Sequence, residues 1–133
     1  MPVTAANILV VDDEPFILKF LCRTLKGQGY NVDGVQDAKE ALLKLRNGDY
    51  DLILLDIKLP GTSGIELYKH MQKREPSLAK KVVFITGDVM GGDTRNFLSR
   101  TKARYIVKPF SANRLRKEVN GILAARVEVE AYN

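Results

Sequence analysis

Cysteine, histidine and tryptophan are nearly absent from this chain of 133 residues, which has one Cys, one His and no Trp. A single Cys excludes an internal disulfide, and Cys22 lies in an apolar helical pattern, which favours core filler over a nucleophile. No apolar run approaches the length of a membrane-spanning helix, and no basic segment followed by a long apolar one opens the chain. We therefore expect a soluble, cytoplasmic protein whose core needs no disulfide or metal to hold it together.

The net charge of the chain excludes few functions by itself. Its 21 Lys and Arg against 16 Asp and Glu give a net charge of +5. The basic residues are spread from Lys19 to Arg126, and the tight pairs, Lys73-Arg74, Lys80-Lys81 and Arg116-Lys117, are not interleaved with aromatics. Such a diffuse positive surface is more typical of solvation than of a nucleic-acid interface, although it could steer acidic partners. We expect no direct nucleic-acid binding.

Short strand-like runs alternate with helical patterns five times along the chain. The pattern predicts buried strands at residues 8–11, 52–56, 82–85 and 105–107, and a half-exposed edge strand at residues 30–35. Helix starts are indicated by Pro15, Asp37, Ser63 and Ser111, and Pro76 is expected to close the third helix. The stretch 89–102 should form the weakest and most mobile helix.

This alternation predicts an α/β fold with a parallel sheet covered by helices on both faces. Five units are too few for a closed eight-fold barrel, so we predict an open, doubly wound, three-layer sandwich with a five-stranded parallel sheet. The single domain is expected to span residues 1–125, and residues 126–133 are expected to form a C-terminal tail that frays.

Polar side chains follow the buried strands at the points where these strands end. Because parallel strands present their C-terminal ends along one edge of the sheet, these groups can converge although they are distant in sequence. A cluster of carboxylates becomes reasonable when a hard divalent cation lies among them, and oxygen ligands favour Mg²⁺. The lone His70 is predicted on a helix surface instead. The residues at the strand ends are Asp12, Asp13, Glu14, Asp56, Thr86, Gly87, Asp88 and Lys108.

A carboxylate cluster with a hydroxyl and an ammonium suits phosphoryl chemistry better than acyl chemistry. Mg²⁺, Lys108 and Thr86 could neutralise the equatorial oxygens of a phosphoryl group while a carboxylate serves as nucleophile. Asp56 is the candidate nucleophile, because it is centrally placed on a rigid strand. No Gly-rich phosphate-binding loop of the nucleotide-binding kind is present, so the phosphoryl donor need not be ATP.

Five motifs in this order resemble the receiver domain of response regulators, over about residues 7–125. They are Asp12-Asp13-Glu14 after an apolar strand, Asp56 within Leu-Leu-Asp-Ile-Lys-Leu-Pro-Gly, Thr86-Gly87, Tyr105, and Lys108-Pro109-Phe110. Each motif alone is weak, but five in the right order are strong. The resemblance implies a flavodoxin-like fold with strand order 2-1-3-4-5. The stretch from Thr86 to Tyr105 also resembles receivers of hybrid sensor histidine kinases, with a free-standing regulator as the alternative.

The resemblance assigns the site as follows. Asp56 would accept a phosphoryl group from a phosphohistidine of a histidine kinase or histidine phosphotransfer protein. Asp13 and Asp56 would bind Mg²⁺ directly together with the backbone carbonyl of Lys58, and Asp12 would act through water. Lys108 would contact the phosphoryl oxygens across a cis peptide to Pro109.

A switch and its partners are implied by the same resemblance. Thr86, followed by Gly87, would turn toward the new phosphate and Tyr105 would move inward, which would change the surface of the fourth helix, fifth strand and fifth helix. A phosphorylation-dependent homodimer would be one outcome. Lys58 and Asp88 are predicted to pair and so to affect the lifetime of the phosphoryl group.

Other interpretations stay open at this point. An Asp-nucleophile, Mg²⁺-dependent phosphatase of the haloacid dehalogenase type usually has a second Asp two residues after its nucleophile, and Lys58 occupies that place here. A receiver-like module that binds partners without phosphorylation tends to lose acids or the Lys, and all are present. We therefore expect a signalling module rather than an enzyme. The edge-strand Tyr105 could serve packing alone, and Phe16, Phe20 and Phe97 are interpreted as packing residues.

Overall fold

The sheet has the predicted parallel topology. The computed structural model describes residues 5–87 and 92–132, with side chains as far as residue 126. The five strands are all parallel and lie in the order β2-β1-β3-β4-β5, as the resemblance implies. They are β1 (Asn7–Val11), β2 (Asn31–Val35), β3 (Leu52–Asp56), β4 (Val82–Thr86) and β5 (Arg104–Val107).

Helices cover both faces of this sheet, which gives the predicted three layers. One face packs against α1 (Pro15–Lys26) and α6 (Ala112–Tyr132), through Leu21, Leu25 and Leu115 among others. The other face packs against α2 (Ala38–Asn47), α3 (Gly64–Arg74), the short α4 (Pro76–Ala79) and α5 (Gly92–Thr101). Because both faces are covered, every residue of β3 and β4 is buried, as near-continuous apolar strands require.

Helix caps lie where the sequence indicates them. The side chains of Asp37 and Ser63 accept hydrogen bonds from backbone N–H groups of the first turns of α2 and α3, at 2.8 and 3.1 Å. Ser111 Oγ does the same for α6, at 3.0 Å from the Arg114 nitrogen. Pro15 occupies the first turn of α1, where its missing N–H costs no hydrogen bond. These caps fix the residue at which each helix begins after the preceding strand.

Four expectations from the sequence need correction. The fifth strand was predicted to be buried, but Ile106 alone is buried on β5, because this strand lies at the edge of the sheet. Pro76 follows the end of α3 but also begins the extra helix α4, so the fourth and fifth predicted helices are α5 and α6 of the structure. The last helix continues to Tyr132, through the segment expected to fray. Phe16 is 88% exposed and does not pack, whereas Phe97 is buried edge-on against Phe84. Residues 88–91, where the weakest helix was expected to begin, lie outside the described residues.

Within the described residues, none of the helices combines the length and the apolar character needed to cross a membrane.

Candidate functional site

The C-terminal edge of the sheet brings three distant charged groups together. Asp12 directly follows β1, Asp56 is the last residue of β3, and Lys108 directly follows β5. Asp12 is fully buried and Asp56 is 5% exposed. Lys108 reaches both from the edge strand because its backbone N–H is anchored to the Thr86 carbonyl, at 2.8 Å. The predicted convergence of these residues is therefore confirmed.

Lys108 is the counter-ion of the cluster. Its Nζ lies 3.1 Å from Asp12 Oδ2, 3.2 Å from Asp56 Oδ2 and 3.7 Å from Glu14 Oε1. One ammonium thus faces three carboxylates, two of which are buried. A fourth, Asp13, is exposed beside them and its carboxylate oxygen belongs to the same cluster. The site keeps an excess of negative charge.

The remaining oxygens of the two buried carboxylates are held by the backbone. Asp56 Oδ1 accepts a hydrogen bond from the Lys58 N–H at 3.0 Å, and Asp12 Oδ1 accepts one from the Glu14 N–H at 2.9 Å. Each carboxylate therefore has one oxygen fixed by its own loop and the other directed at Lys108. This arrangement orients both groups before any ligand arrives, which is how rigid elements preorganise a reactive site.

Burial shapes the ionisation of the site. Desolvation raises the pKa of Asp56, and the Lys58 N–H and the Lys108 ammonium oppose this effect only in part. Burial alone would lower the pKa of Lys108, but the carboxylates of Asp12 and Asp56 outweigh it, so that its pKa is raised above the ordinary value. Lys108 consequently stays charged, and Asp56 is a carboxylate held in a poorly solvated place.

The donor set fits a hard divalent cation. One ligand oxygen from each of Asp12, Asp13, Glu14 and Asp56 lies within 4.8 Å of the others. Asp12 Oδ2 is buried and has no hydrogen-bond partner among the described residues, although the Lys108 ammonium lies 3.1 Å away. All these donors are carboxylate oxygens, which suit Mg²⁺ rather than the softer metals. Glu14 joins the cluster although the resemblance assigns it no role.

The other predicted site residues that the structure describes lie in β4, in β5 and in the loops that follow the strands. Thr86 is buried at the end of β4, in the strand next to Asp56, and the Lys108-Pro109 peptide is cis as expected. Lys58 is exposed and contributes its backbone to Asp56. Tyr105 lies on β5 with 47% of its surface exposed. Gly87 follows Thr86, while Asp88 lies outside the described residues, so its pairing with Lys58 is not tested.

Gly64 is a site residue that sequence reasoning missed. A Cβ added to this first residue of α3 would lie 2.2 Å from the Asp56 carbonyl oxygen and 3.0 Å from Ile57 Cα. Its backbone N–H donates to the Ile57 carbonyl at 2.8 Å. Glycine here lets the start of α3 approach the loop that carries Asp56. The one signal in the sequence is a Gly directly after the capping Ser63, shortly after the strand.

We expect Gly64→Ala to move α3 away from the Asp56 loop. Overpacking against backbone atoms should lower the free energy of unfolding by about 1–3 kcal/mol, and urea unfolding measures this. Gly121→Ala is the matched control, because a Cβ at Gly121 of α6 meets no atom within 4 Å. Since Ala is the better helix former, the control should be stabilised by roughly 0.5–1 kcal/mol. Equal stability of Gly64→Ala and the unchanged chain would contradict the close approach.

Comparisons with known proteins agree with this geometry. A family model described as the response regulator receiver domain matches residues 8–120. The transcriptional regulatory protein ResD of Bacillus subtilis is 33% identical over 130 residues, which cover 96% of this chain and 52% of that protein. The transcriptional regulatory protein DltR of Streptococcus agalactiae is 38% identical over 109 residues, 82% of this chain and 48% of that one. The chain thus spans about half the length of these relatives.

Solved structures are similar over nearly their whole length. A CheY-like response regulator receiver domain protein from Methanospirillum hungatei is 31% identical with a TM-score of 0.83, covering 94% of this chain and 98% of that one. The response regulator TrrA of Thermotoga maritima, solved in complex with Mg²⁺-BeF, is 37% identical with a TM-score of 0.74, covering 87% and 97% of the two chains. Both sequence and fold therefore match one family.

Proposed function

The chain belongs to the response-regulator receiver family, and on that premise we propose that Asp56 accepts a phosphoryl group from a phosphohistidine of a partner protein. The partner would be a histidine kinase or a histidine phosphotransfer protein. The observation that carries this proposal is the buried carboxylate of Asp56 at a strand end, with one oxygen held by the Lys58 N–H and the other 3.2 Å from Lys108 Nζ. A nucleophile needs this combination of fixed orientation and incomplete solvation.

The transfer follows from the same contacts. An Asp56 oxygen forms the new bond to phosphorus while the bond from phosphorus to the histidine nitrogen breaks, and that nitrogen keeps the electron pair. Lys108 lies close enough to Asp56 for its ammonium to stabilise the negatively charged oxygens of the transferred phosphoryl group. Thr86, which is buried, is the last residue of the neighbouring strand. Charge stabilisation by groups already in place is the main contribution that a protein makes to phosphoryl transfer.

We propose that Mg²⁺ binds among Asp12, Asp13 and Asp56, with the Lys58 carbonyl as a further ligand and Glu14 close by. The support is the four-carboxylate cluster, whose negative charge a single Lys108 does not balance. Bound there, the ion would neutralise charge on the phosphoryl oxygens and keep the carboxylates from repelling the donor. The similar protein TrrA was solved with Mg²⁺-BeF, which makes Mg²⁺ the cation to test first.

Phosphorylation would then act as a switch on one face of the molecule. The added phosphate brings about −1.5 to −2 charges at neutral pH beside Lys108 and Thr86. We propose that Thr86 and Tyr105 respond, because Thr86 ends β4 and Tyr105 is half exposed on the adjacent β5. The surface that changes would consist of α5, β5 and α6. A homodimer through this surface and action in the cytoplasm stay predictions.

The proposed role is signalling, with no chemistry beyond labelling of Asp56 and its reversal. Lys58 is exposed two residues after Asp56, and we propose that it affects how long the phosphoryl group lasts, with Asp88 as its predicted partner. The rate of adduct loss should therefore change in Lys58→Ala; an unchanged rate would remove this role.

The relatives are about twice as long as this chain. The limits of the domain at residues 1–125, the protein that receives the signal and the origin of the chain in a hybrid kinase are therefore proposals too.

Incubation with Mg²⁺ and a small acyl phosphate tests the proposal. We expect intact-mass spectrometry to show one added phosphoryl group, and chelation of the Mg²⁺ to prevent its addition. Rapid hydrolysis of the acyl phosphate without any adduct would favour an Asp-nucleophile phosphatase. No reaction at all would favour a receiver-like module that binds without phosphorylation.

A further inference from the structure

A groove runs along the surface between α2 and α3. Two adjoining cavities of about 570 and 220 Å³ form it, and they share the side chains of Leu42, Arg46 and His70. The first cavity is lined by α2 and by residues 62–70, and the second continues along residues 70–78. The groove therefore follows the whole length of α3, which is about 16 Å or three helical turns.

The floor of this groove is apolar. Leu67 and Met71 of α3 are buried there, and Leu42 of α2 is half-buried against the same core. Leu43 stands at the rim with 50% of its surface exposed, and it also lines a third cavity of about 420 Å³ on the other side of α2. An exposed leucine beside a concave apolar floor is a surface that a bound partner would remove from water.

The rim of the groove carries cations that the chain does not neutralise. Lys39, Arg46 and Arg74 line it and are exposed, and none of them takes part in the ion pairs found within the described ranges. Two acids also line it, but Glu66 lies in the first turn of α3, where the helix N-terminus offsets its charge. Glu75 lies at the far end, after the last residue of α3. The rim therefore attracts negative charge.

We propose that the groove between α2 and α3 binds an acidic amphipathic helix of another protein. The apolar face of such a helix would cover the floor, and its acidic flanks would meet the three unpaired cations. A nucleic acid would leave the apolar floor unfilled. A second copy bound symmetrically would bring the same cations toward each other, which costs binding energy. The inference is independent of the proposed function, because no residue of the groove belongs to the cluster of Asp12, Asp56 and Lys108.

The test uses a synthetic peptide of Leu and Glu, about four helical turns long, with Leu at positions i, i+3, i+4 and i+7. It is titrated into the full chain while backbone amide shifts are followed by nuclear magnetic resonance. We expect the shifts to cluster at residues 38–47 and 62–78, and the binding to weaken as salt is added.

Charge reversal at the rim should weaken this binding. The double variant Arg46→Glu, Arg74→Glu should lose affinity by ~10-fold or more, because attraction becomes repulsion. The matched control is Arg23→Glu, Arg100→Glu, which makes the same change at two exposed arginines in the last turns of α1 and α5. The control should keep the affinity of the unchanged chain.

The apolar contact is tested without any change of charge. Leu43→Ser should lose affinity by ~5-fold, because a half-exposed leucine no longer becomes buried on binding. Phe16→Ser is the control, since it removes an 88% exposed apolar side chain from α1, outside the groove. It should bind the peptide as the unchanged chain does.

Five results would overturn the inference. Absence of shifts at the groove would mean that it does not take such a helix. Equal losses in both arginine variants would make the attraction a property of net charge alone, and full affinity of Leu43→Ser would remove the apolar contact. Tighter binding of a DNA duplex at the same residues would replace the helix by a nucleic acid. Self-association in sedimentation that Arg46→Glu, Arg74→Glu abolishes would replace it by a second copy.

Discussion

Asp56→Asn is expected to abolish labelling by acyl phosphate in the presence of Mg²⁺. The amide is close in size to the carboxylate but offers no anionic oxygen to attack phosphorus, and loss of a nucleophile lowers rates on the order of 10³-fold or more. The fold should survive, because Asn removes one negative charge from a site in which one ammonium faces several carboxylates. Burial already raises the pKa of Asp56, so its charge costs stability near neutral pH. Intact-mass spectrometry and urea unfolding measure the two effects.

Asp51→Asn is the matched control for this experiment. Asp51 directly precedes the opposite end of the same strand, where its Oδ2 accepts a hydrogen bond from the Asn7 N–H at 2.8 Å. The same chemical change there should leave labelling at the rate of the unchanged chain. An Asp56→Asn variant that is folded and still labelled at that rate would show that another side chain accepts the phosphoryl group.

Lys108→Met should unfold far more easily than the unchanged chain when no divalent cation is present. Removing the ammonium leaves the buried Asp12 and Asp56 without their shared counter-ion. Breaking a buried ion pair by removing one partner costs about 3–5 kcal/mol, because a charge then stays buried without compensation. Urea unfolding in the presence of a chelator measures the loss. Lys117→Met, an exposed lysine of α6, is the control and should change stability by less than about 0.5 kcal/mol.

Mg²⁺ should restore part of what Lys108→Met loses. A ligand that binds only the folded state stabilises it, by about 2.7 kcal/mol at one hundred times its dissociation constant. In the variant the cation no longer competes with Lys108 for the same oxygens, so it should stabilise the variant more than the unchanged chain. An equal effect of Mg²⁺ on both proteins would mean that the ion binds elsewhere. Full stability of the variant with chelator present would contradict the counter-ion role of Lys108.

The sheet and its reactive edge could be predicted because they depend on strong local patterns. Runs such as residues 52–55 are apolar without interruption and are followed by a Pro-Gly turn, which favours a strand buried on both faces. Once the strands are known to be parallel, the convergence of Asp12, Asp56 and Lys108 follows from geometry alone. Family resemblance added the individual roles, which spacing does not supply.

Features that depend on tertiary contacts or on weak local signals were missed. Gly64 is required because a Cβ at this position would lie 2.2 Å from the Asp56 carbonyl oxygen. This close approach of two backbone segments is a tertiary contact, which no local sequence pattern predicts. Pro76 was interpreted as a helix stop, yet proline also suits the first turn of a new helix. The last helix was predicted on apolar positions up to Leu123 and followed by a tail that frays, whereas α6 continues to Tyr132. Ala124 and Ala125 are good helix formers and favour this extension.

The most direct test of the central claim is to locate the phosphoryl group after labelling with Mg²⁺ and an acyl phosphate. Borohydride reduces an aspartyl phosphate to homoserine, and trypsin then releases residues 47–58 as one peptide that contains Asp49, Asp51 and Asp56. Tandem mass spectrometry should find homoserine at position 56 and unchanged Asp at positions 49 and 51. Homoserine at Asp12 or Asp13 instead, with Asp56 unmodified in a protein that carries the adduct, would contradict the account.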